Sequence, residues 1–232
     1  MKTLIIVPCY NEQETIAALY REICEKTDCE VIVVNDCSTD GSKAILQQEG
    51  IPYLDLPLNL GIGGTVQTGY RYALRNSYDI AVQVDGDGQH DPGQVGVLTA
   101  PIKQGDADFV IGSRYIGKAG YQSSTMRRAG IRFFKLLIYC LSGKRITDAT
   151  SGFRAANRKT MKIFNKHYAS DYPEPESNML ALKSKLRVKE IPVTMRERQG
   201  GESSIKALQP LYYMLKVSLG ILISSTIRVK ID

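Results

Sequence analysis

Between Ile80 and Asp91 the chain reads Ile-Ala-Val-Gln-Val-Asp-Gly-Asp-Gly-Gln-His-Asp. A short apolar run with β-branched residues reads as a buried strand. Here it stops abruptly at carboxylates and glycines. Asp85 and Asp87 sit at i and i+2, so on an extended backbone both point to one side. Two like charges held close repel each other, and a cation between them removes the conflict. Carboxylate oxygens suit hard ions such as Mg2+ or Mn2+, and Gln89 adds a neutral oxygen to the set. A plain polar turn after a strand is the alternative. A helix-loop-helix calcium site needs Gly at the sixth position and Glu at the twelfth. Counted from Asp85, those positions hold His90 and Gly96, so that reading fails. His90 reads as a ligand or, as a lone loop histidine more often is, as a hydrogen-bonding turn residue.

The 232 residues suffice for one domain with a full core, and 43% hydrophobic with 23% charged residues is ordinary globular composition. The net charge of +6 matters through its placement more than its size. The five cysteines form no C-x-x-C pair and no zinc spacing, which suggests reduced thiols in the cytoplasm. Only Leu4 to Val7 precede Pro8, too short a run for a signal peptide. No segment offers the uninterrupted apolar length of a membrane-spanning helix.

Taken in order, Thr3 to Val7 reads as a buried strand ending at Pro8. A helix follows, with Ile16, Leu19, Tyr20 and Ile23 at helical spacing and Asn11 and Glu14 placed to cap it. Glu30 to Val34 is a second strand running into Asn35-Asp36-Cys37-Ser38-Thr39-Asp40-Gly41. Asp36 then lies just past a strand's carboxyl end, where open α/β sheets bind ligands. Asp40 reads as the cap of the next helix rather than as a ligand contact, the alternative at this position. Ile51 to Leu56 is a third strand, followed by Asn59-Leu60-Gly61-Ile62-Gly63-Gly64 and a helix to about Arg75. These glycines lack both nucleotide-loop patterns. They read as close backbone approach to a nucleotide or a neighbour, or as turn chemistry, which makes Gly61 a candidate nucleotide contact. A helix over about Pro92 to Gln104 and a strand from Asp108 to Gly112 continue the alternation. It predicts a parallel sheet with right-handed crossovers.

After Gly112 no acidic residue occurs until Asp148. The interval holds eight basic residues from Arg114 to Arg145, interleaved with Phe133, Phe134, Leu136, Leu137, Ile138, Tyr139 and Leu141. That is the composition of a helix lying on anionic lipid. Nucleic acid would attract the same charges, but the aliphatic block fits a bilayer better, and a core helix with a basic rim is the plain reading. Asp148 to Arg154 forms a compact turn. Tyr172-Pro173-Glu174-Pro175-Glu176 opens a helix, and its two glutamates serve either the helix dipole or the site. Val188 to Val193 is a late strand, and Arg196 to Ser204 a basic, glycine-hinged loop. The apolar tail from Ile205 to Ile227, interrupted by Lys216, suits an amphipathic surface helix. The expected organisation is residues 1–204 as catalytic domain and 205–232 as that helix.

In combination and in order, Val7-Pro8-Cys9-Tyr10-Asn11-Glu12, Asn35 to Gly41, Asp85-Gly86-Asp87-Gly88-Gln89-His90, Gly112-Ser113-Arg114-Tyr115, Thr150-Ser151-Gly152-Phe153-Arg154 and Arg198-Gln199-Gly200-Gly201-Glu202-Ser203 carry a specific likeness. The chain resembles the inverting family 2 glycosyltransferases with a GT-A fold: a Rossmann-like, mostly parallel α/β sheet flanked by helices. Within them it is most similar to the dolichol-phosphate mannose synthase and polyprenyl-phosphate glycosyltransferase branch. The resemblance implies that Pro8, Tyr10, Glu12 and Asp36 hold the base and ribose of a nucleotide-sugar donor, with a UDP-sugar favoured. It implies Asp85, Asp87 and Gln89 as holders of Mg2+ or Mn2+ on the diphosphate. Arg114, Arg127 or Arg128, and Arg198 would then grip acceptor or donor phosphate.

Two acceptors stay open. A polyprenyl phosphate such as undecaprenyl phosphate is already anionic, its second pKa being about 6, and needs positioning arginines more than a base. A sugar hydroxyl needs a carboxylate base, for which Asp148, Glu174 and Glu176 are the candidates. The lipid acceptor implies a peripheral, cytoplasmic-face location on an anionic membrane, with no nucleic-acid partner. Oligomeric state is left open, a homo-oligomer included.

Overall fold

The apolar runs of the sequence become the strands of one seven-stranded sheet. The computed structural model describes residues 1–116, 125–196 and 210–227, excepting the side chains of 125–129, 210 and 211. In chain order the elements are β1 (Thr3–Cys9), α1 (Ile16–Lys26), β2 (Glu30–Asn35), α2 (Ser42–Gln48), β3 (Tyr53–Asp55), α3 (Gly61–Arg75) and β4 (Ile80–Gln83). A 3-10 turn at Pro92–Gln94 then leads into α4 (Val95–Lys103), β5 (Phe109–Ser113), α5 (Thr125–Ser142), β6 (Arg154–Asn157), α6 (Arg158–Lys166), α7 (Pro173–Lys183), β7 (Val188–Pro192) and α8 (Pro210–Thr226).

The strand order is β3-β2-β1-β4-β6-β5-β7. β1 pairs in parallel with β2 and β4, β2 with β3, and β5 with β7. The sheet is thus mostly parallel, as expected, and β6 is the exception, antiparallel to both of its neighbours, β4 and β5. The reason lies in the segment before it. Asp148 accepts from the backbone N–H of Arg114 just past the end of β5, so the chain enters β6 from the carboxyl ends of its neighbours.

Side-chain alternation divides the core in two. Leu4, Ile6, Ala81, Phe109 and Ile111 face Val66 and Tyr70 of α3, Phe134 and Ile138 of α5, Phe164 of α6, Met179 of α7, and Val217 and Ile221 of α8. Ile5, Val7, Ile80, Val82 and Val110 face Ile16, Leu19 and Ile23 of α1, Leu46 of α2, and Leu98 and Ile102 of α4. Coverage on both faces explains why the strands read as unbroken apolar runs.

Several local expectations change. Asn11 does not cap α1: it adopts a left-handed φ of 56°, and its Oδ1 accepts from the Thr39 N–H at 2.8 Å. Asp40 does serve the start of α2, accepting from the Ser42 N–H at 2.9 Å. α6 has no counterpart in the expected elements, although Asn157 caps it through the Thr160 N–H at 2.9 Å. The described turns of α8 are apolar on both sides rather than amphipathic. They bury Val217 and Ile221 in the first core and expose Leu215, Leu219, Leu222 and Ile223.

The glycines opening α3 serve a neighbour. A Cβ on Gly63 would lie 1.7 Å from the Ala169 carbonyl oxygen, and the Gly63 N–H donates to the Ser170 carbonyl at 2.7 Å. Gly61, at φ 73°, faces the same Ser170 carbonyl. Gly63→Ala is expected to destabilise the fold by about 1–3 kcal/mol, because backbone rather than a flexible side chain must move. An unchanged midpoint in chemical denaturation would contradict this packing.

Glu176 lies between α7 and α8, its carboxyl carbon 2.2 Å from where a Cβ on Gly220 would sit. Burial pushes its carboxyl up to about 7, Lys216 opposes the rise, and Asp171 and Glu174 add to it. The folded value exceeds the ordinary one of 4.5. The stability this group contributes is therefore complete at acid pH and is lost as pH rises through about 7. The melting temperature should fall more steeply between about pH 4.5 and 7 in the wild type than in Glu176→Gln. Equal slopes would count against a buried, protonated Glu176.

Candidate active site

The carboxyl ends of β2, β1 and β4 lie side by side, and each is followed by residues singled out in the sequence. The loops after β1 and β2 are tied together. Asn11 N–H donates to Ser38 Oγ at 3.1 Å, Glu12 N–H to Ser42 Oγ at 2.9 Å, and Gly41 N–H to Gln13 Oε1 at 2.7 Å. Pro8, Tyr10 and Glu12 thereby share one rim with Asp36. Tyr10 is 47% exposed. Asp36 is buried, and its Oδ1 accepts from the Leu60 N–H at 2.7 Å, which fixes the approach of α3. Gly61 turns toward Ser170.

Asp85 lies just past the end of β4 and Asp87 in the turn that follows, so the two do not sit together on the strand. Asp85 is held from several sides. Gln83 Nε2 donates to its Oδ1 at 2.8 Å. Its N–H donates to His90 Nδ1 at 3.0 Å, which requires an unprotonated nitrogen there. His90 is buried and stacks on Phe153 with ring centroids 4.9 Å apart. It is thus a positioning group, as a turn histidine is expected to be. Gly152 is needed at this spot, since a Cβ would lie 2.6 Å from Asp85 Oδ2. Asp87 is 5% exposed, and its Oδ1 accepts from the Gln89 N–H at 3.0 Å.

Among the described residues, no three His, Cys, Asp or Glu side chains gather into a metal-binding group. One or two carboxylates completed by substrate phosphate oxygens is, however, the donor set on which Mg2+ is commonly held. Asp85 and Asp87, with Gln89 beside them, fit an ion that arrives with a diphosphate.

On the β6–β5 side, Arg114 Nε and Nη2 donate to the two oxygens of Asp148 at 2.7 Å each, and Nη2 also reaches Thr150 Oγ1 at 2.9 Å. Asp148 is fully buried, and its N–H donates to Glu190 Oε1 at 2.8 Å. The pair is a fixed structural clamp, which removes Asp148 as a base exposed to an acceptor. Glu176 faces Gly220 of α8 and is not brought beside Asp85. Glu174, two residues earlier, is the glutamate that shares the field of the site. Burial pushes its carboxyl up, Arg154 opposes that, Asp85 adds to it, and Arg114 opposes it. Arg198 and the side chains of Arg127 and Arg128 lie outside the described residues, as do all of residues 197–209.

Sequence reasoning assigned no role to Gln83 or Arg154. Arg154 is fully buried in β6, opposite Gln83 in register. Its Nε donates to the Ser151 carbonyl at 2.5 Å and its Nη1 to Ser177 Oγ at 2.6 Å. The available signal was a polar residue closing an apolar strand two positions before Asp85, and an arginine set directly against Ala155 and Ala156.

Residues 4–164 match the sequence model of Glycosyl transferase family 2. The chain is 29% identical to the undecaprenyl-phosphate mannosyltransferase of Micrococcus luteus, over 88% of each protein. It is 24% identical to the UDP-N-acetylglucosamine–dolichyl-phosphate N-acetylglucosaminyltransferase of Methanococcus voltae, over 93% of this chain and 96% of that one. The fold is shared with glucosyl-3-phosphoglycerate synthase from Mycobacterium tuberculosis, solved with Mn2+, UDP-glucose and phosphoglyceric acid. The TM-score is 0.77 at 19% identity, covering 99% of this chain and 81% of that chain. With its mostly parallel GT-A sheet and its motifs in order, the chain belongs to glycosyl transferase family 2 and is a glycosyltransferase.

Proposed function

We propose that this enzyme transfers a sugar from a nucleotide-sugar donor, a UDP-sugar by preference, to the phosphate of a polyprenyl phosphate. The observation that carries the donor side is the row formed by Asp36 and Tyr10, then Asp85 and Asp87, then the Arg114–Asp148 clamp, along one edge of the sheet. It matches in order a nucleoside, a diphosphate and a sugar. Asp85 and Asp87, with Gln89, would hold Mg2+ or Mn2+. The ion, when bound, supplies Lewis-acid stabilisation of the charge growing on the leaving diphosphate. Pro8, Tyr10, Glu12 and Asp36 would orient the base and ribose.

The acceptor reading is supported by the two relatives named above, which act on lipid phosphates by name, and by surface chemistry. α5 exposes Phe133, Leu136 and Tyr139, and α8 exposes Leu215, Leu219 and Leu222. The two helices meet through Phe134 and Tyr213, with ring centroids 5.6 Å apart. Arg132, Lys144 and Arg145 are exposed on or just beyond α5. An apolar face edged with cations suits an anionic membrane surface. No described helix is long and apolar enough to cross a membrane. An anionic phosphate nucleophile needs no base, so Arg114, Arg128 and Arg198 would act by positioning it. Transfer to a sugar hydroxyl would need a base. Of the three candidate carboxylates, Asp148 is clamped and Glu176 faces α8, leaving Glu174 alone for that role.

The direct test is transfer from UDP-glucose, UDP-GlcNAc, UDP-galactose or GDP-mannose to undecaprenyl phosphate, with and without Mn2+. Asp87→Asn should lower metal-dependent transfer at least about 100-fold, or about 3 kcal/mol, with the melting temperature retained. Near-wild-type transfer by this variant would remove the metal assignment. Flotation with phosphatidylglycerol vesicles should carry the protein at low salt and release it at high salt, each basic residue adding about 1 kcal/mol near the surface. Protein left behind at low salt would refute the membrane reading.

A further inference from the structure

We propose that Glu174 binds hydroxyl groups of the sugar being transferred, and that Arg154 beneath it is the positioning residue that holds it there. This rests on the reading of Asp85 and Asp87 as the carboxylates that meet the diphosphate. A nucleotide sugar is linear in its chemistry, with nucleoside, diphosphate and sugar in sequence. The nucleoside candidates lie at the ends of β1 and β2, and the carboxylates follow β4. The sugar therefore extends toward β6 and β5, the next strands in the sheet. Gly152, Arg114 and Glu174 occupy that side, and Asp85, Arg154 and Arg114 all act electrostatically on Glu174.

Glu174 is suited to the task in three ways. Its side chain makes no salt bridge and no hydrogen bond to another described side chain, unlike Asp148, whose oxygens are both engaged. A half-buried carboxylate in that state is an acceptor awaiting donors, and sugar hydroxyls are donors. Its backbone is also fixed, for Pro173 and Pro175 flank it in the first turn of α7. Third, Arg154 secures that turn from below. Its Nη1 donates to Ser177 Oγ, which in turn reaches the carbonyls of Pro173 at 2.6 Å and Glu174 at 3.1 Å. Arg154 is fully buried, has no carboxylate within ion-pair distance among the described residues, and leaves Nη2 without a partner. A buried cation in that condition is costly. Its nearby charge offsets the burial of Glu174 beside Asp85.

The test uses donor hydrolysis without acceptor, so that it stands apart from the lipid-phosphate reading. The substrate is whichever of the four nucleotide sugars turns over, together with its monodeoxy analogues. Binding of the parent nucleoside diphosphate with Mn2+ is measured by calorimetry. Glu174→Ala and Glu174→Gln should leave that binding within about twofold and lower kcat/KM for the nucleotide sugar about tenfold or more. At least one deoxy analogue should be penalised about tenfold or more in the wild type and about twofold or less in Glu174→Ala. Arg154→Met should lose the same penalty. Equal weakening of nucleoside diphosphate and nucleotide sugar would place Glu174 on the diphosphate and overturn the proposal. So would every deoxy penalty surviving in Glu174→Ala. If the penalties survive while transfer is lost with an acid limb in the pH profile, Glu174 takes a proton from the acceptor instead. Failure of wild-type transfer to undecaprenyl phosphate, with hydrolysis intact, would remove only the acceptor reading.

Discussion

The hydrogen bond from Gln83 Nε2 to Asp85 Oδ1 joins the sheet to the site. Gln83 is the last residue of β4, buried at the centre of the strand order. It translates the position of the sheet into the position of a carboxylate. Around that bond everything else is arranged to leave Asp85 one place to be: His90 receives its N–H, Phe153 stacks on His90, and Gly152 gives up a side chain so that the carboxylate fits. A carboxylate fixed in this way needs no reorganisation to receive a cation.

The antiparallel β6 is what makes such an arrangement possible next to parallel strands. By entering from the carboxyl end it delivers the Asp148-to-Arg154 segment directly against β4 and β5. Asp148 then pairs with Arg114 and takes support from Glu190 of β7 through its own N–H. The segment also brings a buried guanidinium under the first turn of α7. Breaking a buried charge pair is far more damaging than never having built one. The Arg114–Asp148 clamp therefore stabilises the geometry of the site more than it adds to overall stability.

Much of the fold was legible. Apolar runs ending in polar turns located β1, β2, β4 and β5, and the motif order led to the family. The candidate nucleotide and metal residues could be singled out from the sequence because they lie at or just past the carboxyl ends of strands, where ligands of open α/β sheets gather, and because the family motifs fall there. What escaped was structure that breaks a local rule. β6 carries a buried arginine among alanines, so hydropathy does not mark it as an interior strand. α6 follows it with no turn signal between, its cap being Asn157 at the strand's own end. The roles of Glu174 and Glu176 were inseparable in the sequence because two residues along a helix turn them to different surroundings. One shares the field of Asp85 and Arg114 and the other lies against Gly220. Local propensity cannot see α8, and it was α8 that decided the matter.

The central claim is that the turn after β4 holds a divalent ion against a donor diphosphate. Crystals grown with Mn2+ and UDP, measured at a wavelength where manganese scatters anomalously, test it most directly. The account predicts a single strong anomalous peak about 2.1 Å from oxygens of Asp85 or Asp87 and of the diphosphate, with the uracil near Tyr10 and Asp36. A peak elsewhere, or UDP bound in that cleft with no metal at these carboxylates, would contradict it.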